Sequence, residues 1–142
     1  MKEKAIDFVR SVFSGVTDKG GAPYIEHCLA VMKGVNHMPE HVQIAALLHD
    51  VVEDTNYTVN DISIAYGNQV AELVELLTKI PGQTYQEYIT GIKANKEAIS
   101  IKISDLTHNM NVTRLKEITD TDLARLKKYH KTYRDLVKTL NN

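Results

Sequence analysis

One short stretch of the sequence concentrates ionisable side chains directly after an apolar run. Residues 47–55 read Leu-Leu-His-Asp-Val-Val-Glu-Asp-Thr, which places one imidazole and three carboxylates within six positions. A carboxylate beside apolar side chains loses hydration, and it stays ionised only where a cation, hydrogen bonds or water compensate for that loss. A bound metal ion would provide this compensation. The alternative is that residues 49–54 form the solvated end of a helix, which is the commoner case for an isolated His-Asp pair.

Two other positions strengthen the metal interpretation. His27 follows Pro23-Tyr24-Ile25-Glu26 at the start of a predicted helix, and Asp105 lies in segment 102–110, inside another predicted helix. Each of them alone is a weak indication. A histidine, a later His-Asp pair and a distant aspartate together form a plausible set of metal ligands.

This arrangement resembles the ligand pattern of the HD-domain superfamily. Segments 21–27, 49–55 and 102–110 are similar, in order and spacing, to the hydrolase domain of the RelA/SpoT family. The resemblance implies one divalent cation, commonly manganese, bound by four ligands: His27, His49, Asp50 and Asp105. Nitrogen and oxygen ligands also suit iron, cobalt, nickel or zinc, so they do not select the metal.

Glu53 and Asp54 match the acidic pair of the hydrolytically competent members of that family. Lying three and four residues beyond Asp50, they fall on neighbouring faces of one helical turn. We expect them to orient the attacking water and to transfer its proton rather than to bind the metal. The alternative is a solvated acidic helix end.

The resemblance also implies contacts to a nucleotide. Asn109, Arg125 and Tyr129 fall where the stand-alone small alarmone hydrolases bind their substrate, and Lys19 lies in a Gly-rich loop that usually carries a basic pair. Arg125 would pair with a phosphate through its planar fork. An ordinary amphipathic last helix is the alternative for Arg125 and Tyr129. Asp18 stands where an arginine is typical, and we expect it to repel phosphate unless its side chain points away.

Other potential ligands lack a matching carboxylate motif. We expect the remaining histidines to be structural or solvent-exposed and the single cysteine to be a small buried residue. These residues are His37, His41, His108, His130 and Cys28.

The apolar positions recur at helical spacing, which predicts an all-α fold. With 142 residues we expect a single-domain helical bundle of the HD-domain type over residues 1–142. Caps and helix breakers predict helices over Lys2–Phe13, Tyr24–Val35, Pro39–Val52, Val59–Tyr66, Asn68–Thr78, Thr84–Lys93, Lys96–Leu115 and Asp122–Leu140.

Composition argues against several classes of partner. Seventeen Lys and Arg nearly balance eighteen Asp and Glu without a long block of one sign, so nucleic acid is not expected as a partner. No apolar run approaches the length of a membrane span. A single cysteine and no recognisable signal peptide favour a cytoplasmic protein. The oligomeric state is not indicated.

The resemblance implies hydrolysis of ppGpp and pppGpp at the 3′-pyrophosphate, giving GDP or GTP. The chain is expected to lack the synthetase domain of the long bifunctional enzymes. One alternative keeps the metal site and changes the substrate to NADPH, a 5′-nucleotide or a dNTP. Another is a nucleotide-binding HD module without turnover.

Overall fold

The computed structural model describes residues 1–142 and confirms the all-α class. Its α-helices are α1 (Lys2–Val12), α2 (Tyr24–Lys33), α3 (Glu40–Leu48), α4 (Val51–Asp54), α5 (Val59–Tyr66), α6 (Asn68–Leu76), α7 (Tyr85–Lys93), α8 (Lys96–Asn109) and α9 (Asp120–Leu140). A 3₁₀ turn at Val112–Arg114 separates the last two. The only β-type pairing is an isolated bridge between Thr17 and Pro23.

Three helices begin with the same reciprocal cap. In each, a threonine side chain accepts from the backbone N–H three residues later, and the acidic side chain at that position accepts from the threonine N–H. The pairs are Thr58 with Asp61, Thr84 with Glu87, and Thr119 with Asp122. The cap at Thr119 starts α9 two residues before the predicted position.

The prediction of one helix over Pro39–Val52 is wrong, because the structure divides this segment into α3 and α4. His49 Nδ1 donates to the carbonyl of Ala46 at 2.7 Å. In a continuous helix that carbonyl would accept from the backbone N–H of Asp50. The Ala46 carbonyl instead accepts from the side chain of His49 and, at 3.4 Å, from its backbone N–H, and the helix ends before Asp50.

The predicted helix over Lys96–Leu115 is also too long. It ends at Asn109, and the side chain of Asn111 then accepts from the backbone N–H of Thr113. Such local bonds from asparagine compete with the helical pattern. A 3₁₀ turn over Val112–Arg114 follows instead, so Arg114 is not part of α8.

Helix α3 is the centre of the bundle, with α1, α2, α6 and α8 packed around it. Six of its nine residues are buried, from Val42 to Leu48. Helices α2 and α8 approach closely at Gly34, where an added Cβ would lie 2.0 Å from Ser104 Oγ. The Ser104 hydroxyl also donates to the carbonyl of Val31 at 2.8 Å. These contacts hold α2 and α8 closely against each other.

None of the helices combines the length and the apolar composition that crossing a membrane requires.

Candidate functional site

Three of the predicted metal ligands lie together where α2, α3 and α8 meet. The ligand atoms of His27, His49 and Asp105 are within 4.8 Å of one another, and all three residues are buried. His27 Nε2 is 3.0 Å from Asp105 Oδ1, and His49 Nε2 is 3.4 Å from the same oxygen. Residues separated by up to 78 positions in sequence are thus brought to one point.

Asp50 lies beside this cluster. Its Oδ2 is 3.0 Å from His49 Nε2 and accepts a hydrogen bond from the Tyr24 hydroxyl. Its side chain is 20% exposed, whereas that of Asp105 is 7% exposed. Asp50 therefore occupies the solvent-facing side of the group.

The ring of His49 is oriented as a metal ligand requires. Because Nδ1 donates to Ala46, the neutral ring has no hydrogen on Nε2. That nitrogen is buried without a hydrogen-bond partner, although carboxylate oxygens of Asp50 and Asp105 lie close to it. Burial opposes a charge here, yet the two carboxylates raise the pKa of His49 well above its ordinary value. The site favours a positive charge at this point, which a divalent cation would supply.

Asp105 is held as an anion by its neighbours. Lys102 Nζ lies 2.8 Å from Oδ2, and Asn109 Nδ2 donates to Oδ1 at 3.0 Å. Burial would raise the pKa of Asp105, but the charges of Lys102 and His49 hold it well below its usual range. An ionised carboxylate with fixed orientation is what a metal site needs.

The expectation that His108 is structural or exposed misses its contact with His27, one of the predicted metal ligands. His108 Nδ1 lies 2.7 Å from His27 Nδ1. Burial and the positive charge of Arg114 lower the pKa of His108 to about 4, so its ring is neutral. In the tautomer in which His27 Nδ1 donates to His108, the neutral His27 ring has no hydrogen on Nε2, which suits a metal ligand. The spacing of His108, one helical turn after Asp105, was the signal available in the sequence.

The acidic pair lies on α4, next to the cluster but outside it. Glu53 Oε2 accepts from the backbone N–H of Lys79 at 3.4 Å, and burial and then Asp50 raise its pKa. For Asp54, burial and then the charges of Asp50 and Glu53 raise the pKa to about 6. Both side chains are solvent-accessible. This placement suits groups that exchange protons with a water molecule.

A cavity of about 490 Å³ adjoins the cluster and is lined by all four residues predicted to bind substrate. Two residues connect it to the ligands, because Tyr24 bonds to Asp50 and Asn109 bonds to Asp105. The residues predicted to bind substrate that line its wall are Lys19, Asn109, Arg125 and Tyr129. The cavity is therefore linked to the His/Asp cluster through Tyr24 and Asn109.

Asp18 also lines this cavity, but its negative charge is compensated. Its Oδ1 accepts from the backbone N–H groups of Gly20 and Ala22 at 2.9 and 3.0 Å. Its Oδ2 lies 2.5 Å from Arg114 Nη1. The expected repulsion of phosphate is therefore offset by a guanidinium that sequence reasoning did not pair with this residue.

A family model described as the HD domain matches residues 5–128. A probable GTP pyrophosphokinase from Mycobacterium leprae is 36% identical over 107 residues, covering 68% of this chain and 14% of the relative. The bifunctional (p)ppGpp synthase/hydrolase SpoT from Escherichia coli is 35% identical over 114 residues, covering 71% and 16%. The chain thus spans only about one seventh to one sixth of the length of these curated relatives.

Two solved structures share the fold. One is described as a metazoan ortholog of SpoT that hydrolyses ppGpp; the TM-score is 0.81 at 23% identity, covering 99% of this chain and 91% of that one. A protein from Listeria monocytogenes gives a TM-score of 0.64 at 27% identity, covering 81% and 82%. The match of the family model over most of the sequence shows that this chain belongs to the HD-domain family.

Proposed function

We propose that this chain is a metal-dependent phosphohydrolase that removes the 3′-pyrophosphate of ppGpp and pppGpp. The observation that carries the proposal is the convergence of two buried histidine nitrogens and an ionised carboxylate oxygen on one point. Relatives named guanosine-3′,5′-bis(diphosphate) 3′-pyrophosphohydrolase, at 32% to 35% identity, support this substrate.

His27, His49, Asp50 and Asp105 would hold the cation, and we propose manganese as its identity. A divalent ion with mixed nitrogen and oxygen ligands lowers the pKa of a bound water and polarises a phosphoryl group. The unpartnered Nε2 of His49 is the atom that supports this fit most directly.

Glu53 and Asp54 would receive the proton of the attacking water. The pKa of Asp54, raised to about 6, lies near neutrality, where a general base is most effective. The water oxygen forms a bond to the phosphorus that carries the ribose 3′ oxygen. The bond from phosphorus to that oxygen breaks, and the 3′ oxygen takes a proton, so that the products are pyrophosphate and GDP or GTP.

The cavity supplies the binding part of the site. Its volume of about 490 Å³ is in the range of small-ligand sites. Lys19 and Arg125 bring positive charge to its wall, and Tyr129 offers an aromatic face and a hydroxyl. We propose that Asn109 acts at the junction, since it contacts both the cavity and Asp105.

The test is an assay of the manganese-loaded chain against ppGpp, NADPH, a dNTP and a 5′-nucleotide, with the products identified by chromatography. We expect GDP and pyrophosphate from ppGpp as the dominant reaction. Preferred release of phosphate from NADPH, or no turnover of any of these, would overturn the proposal in favour of another substrate or of a binding module.

Asp50→Asn is the matched variant for the metal site, because the amide keeps the shape of the side chain and removes its charge. We expect it to lose both bound manganese and turnover. Asp7→Asn makes the same chemical change on the exposed face of α1 and should leave both intact. Full manganese occupancy in Asp50→Asn would remove Asp50 from the ligand set.

A further inference from the structure

Arg114 has no role in the function proposed so far, although it lines the same cavity as Lys19 and Arg125. It is the last residue of the 3₁₀ turn that follows α8. Its side chain is 25% exposed, so part of it is accessible from the cavity.

The loop before α2 holds Arg114 in a defined position. Asp18 Oδ2 lies 2.5 Å from Arg114 Nη1, while Asp18 Oδ1 is fixed by two backbone N–H groups of its own loop. At Gly20 the loop comes so close that an added Cβ would lie 2.4 Å from the carbonyl oxygen of Arg114. Both the side chain and the backbone of Arg114 are therefore fixed before any ligand binds.

The guanidinium has unused capacity for hydrogen bonds. It carries five N–H donors, and the pair with Asp18 is made through Nη1. The Nε–H is buried and has no acceptor in the protein. A buried donor without a partner is unfavourable, and an immobilised guanidinium loses little further entropy when it binds an anion.

The other two cations of the cavity wall are arranged differently. Lys19 Nζ and Arg125 Nη1 each lie 3.9 Å from the same oxygen of Asp122, at the limit of an ion pair. Only Arg114 has a short contact to a carboxylate that is itself anchored by the backbone. It is the most rigidly held cation in this wall.

We propose that Arg114, held by Asp18, binds a phosphate group of the nucleotide and helps to determine specificity. The inference rests on the proposed function insofar as it takes a polyphosphorylated nucleotide as the occupant of the cavity. Asp18 is then a positioning residue, and Arg114 is the residue that touches the ligand.

Two variants separate binding from a purely structural link. Arg114→Gln removes the guanidinium, whereas Asp18→Asn breaks the same ion pair, keeps an acceptor for the loop N–H groups and leaves Arg114 charged. Arg114→Lys keeps the charge and loses the planar fork. Melting temperatures of all three report the cost of breaking the link.

Binding of ppGpp is measured by calorimetry in a Glu53→Gln, Asp54→Asn background loaded with manganese, where turnover is slow. We expect Arg114→Gln to weaken binding about ten- to a hundred-fold and Arg114→Lys to be intermediate. Asp18→Asn should weaken binding by only about threefold, because the guanidinium keeps its charge and loses only its anchor. In the otherwise unaltered chain, Arg114→Gln should raise KM and leave kcat nearly unchanged.

Repeating the titration with a guanosine 3′-diphosphate that has no 5′-phosphates identifies the group recognised. If the effect of Arg114→Gln disappears, the contact is to a 5′-phosphate; if it persists, the contact is to the 3′-pyrophosphate. Either result supports phosphate binding by Arg114.

Equal weakening by Asp18→Asn and Arg114→Gln, with equal losses of melting temperature, would overturn the proposal and leave a structural link. Unchanged affinity in Arg114→Gln would overturn it as well. Failure of the proposed function is seen separately, as absence of turnover in the unaltered chain while these binding differences can still be measured.

Discussion

Asp54→Asn is expected to stabilise the metal-free protein while it abolishes turnover. Burial and the neighbouring carboxylates of Asp50 and Glu53 raise the pKa of Asp54 from 3.8 to about 6. No hydrogen bond to another side chain compensates for this repulsion. The ionised form is thus less favourable in the folded protein than in the unfolded chain, and asparagine removes that cost.

The size of the effect follows from the displacement of the pKa. The difference in pKa between 3.8 and about 6 corresponds to roughly 3 kcal/mol if it acted in full. Asp54 is solvent-accessible, so screening reduces the expected gain to about 1 kcal/mol, or about 3 °C in Tm. Since the folded pKa is the higher one, the aspartate loses stability relative to asparagine as pH rises from about 4 to about 6.

The assay is urea unfolding of both proteins at several pH values from 4 to 8, in the presence of a chelator. The advantage of Asp54→Asn should be absent near pH 4, grow up to about pH 6 and remain constant above it. Manganese should reduce the advantage, because a nearby cation also compensates the carboxylate charge. Asp7→Asn, on an exposed helical face, should change stability by less than about 0.5 kcal/mol at every pH.

An advantage of Asp54→Asn that does not vary with pH would refute this reasoning, because a packing effect does not titrate. A loss of stability at pH 7 would show that the carboxylate has a favourable partner in the folded protein. Normal hydrolysis of ppGpp by this variant would contradict the catalytic part of the assignment.

Three further perturbations test contacts around the site. His108→Phe should weaken manganese binding about ten- to a hundred-fold by removing the acceptor for the histidine ligand beside it, as measured by competition with a chelator. Lys102→Met should destabilise the metal-free protein by about 3 kcal/mol in urea unfolding, because it leaves the buried Asp105 carboxylate without the Lys102 ammonium. Added manganese should restore part of the lost stability. Gly34→Ala should lower Tm because α2 and α8 cannot accommodate the methyl group, whereas Gly91→Ala, with no neighbour within 4 Å, should raise it slightly.

Two of the three helices that begin with a capping box start within one residue of the predicted position, whereas α9 starts two residues earlier than predicted. The predicted helix Val59–Tyr66 agrees with the structure, where the capping box at Thr58 depends only on local bonds. The break at His49 could not be predicted from spacing, because a side chain takes over a backbone acceptor there. The early end of α8 was missed for the related reason that Asn111 caps a new turn.

The residues of the candidate site were easier to predict from the sequence than the contacts between them. Ligands and substrate residues could be proposed because they lie in recognisable motifs. Asp18 and Arg114 are 96 positions apart, and nothing local in the sequence indicates that they pair. The contact between His27 and His108 likewise depends on how α2 and α8 pack.

His49 lies at the bend between α3 and α4, where its side chain also bonds to the backbone of α3. On an uninterrupted helix, two consecutive side chains project about 100° apart, which separates their end groups. Here the Ala46 carbonyl accepts from both the imidazole and the backbone N–H of His49, and beyond the bend Asp50 Oδ2 lies 3.0 Å from His49 Nε2. We expect that a His-Asp dipeptide grafted onto a regular helix of another scaffold would not reproduce this arrangement. A design would have to include the bend as well. A substitution of His49 would change the bend together with the predicted ligand, so a substitution of His27 is the better test of metal binding alone.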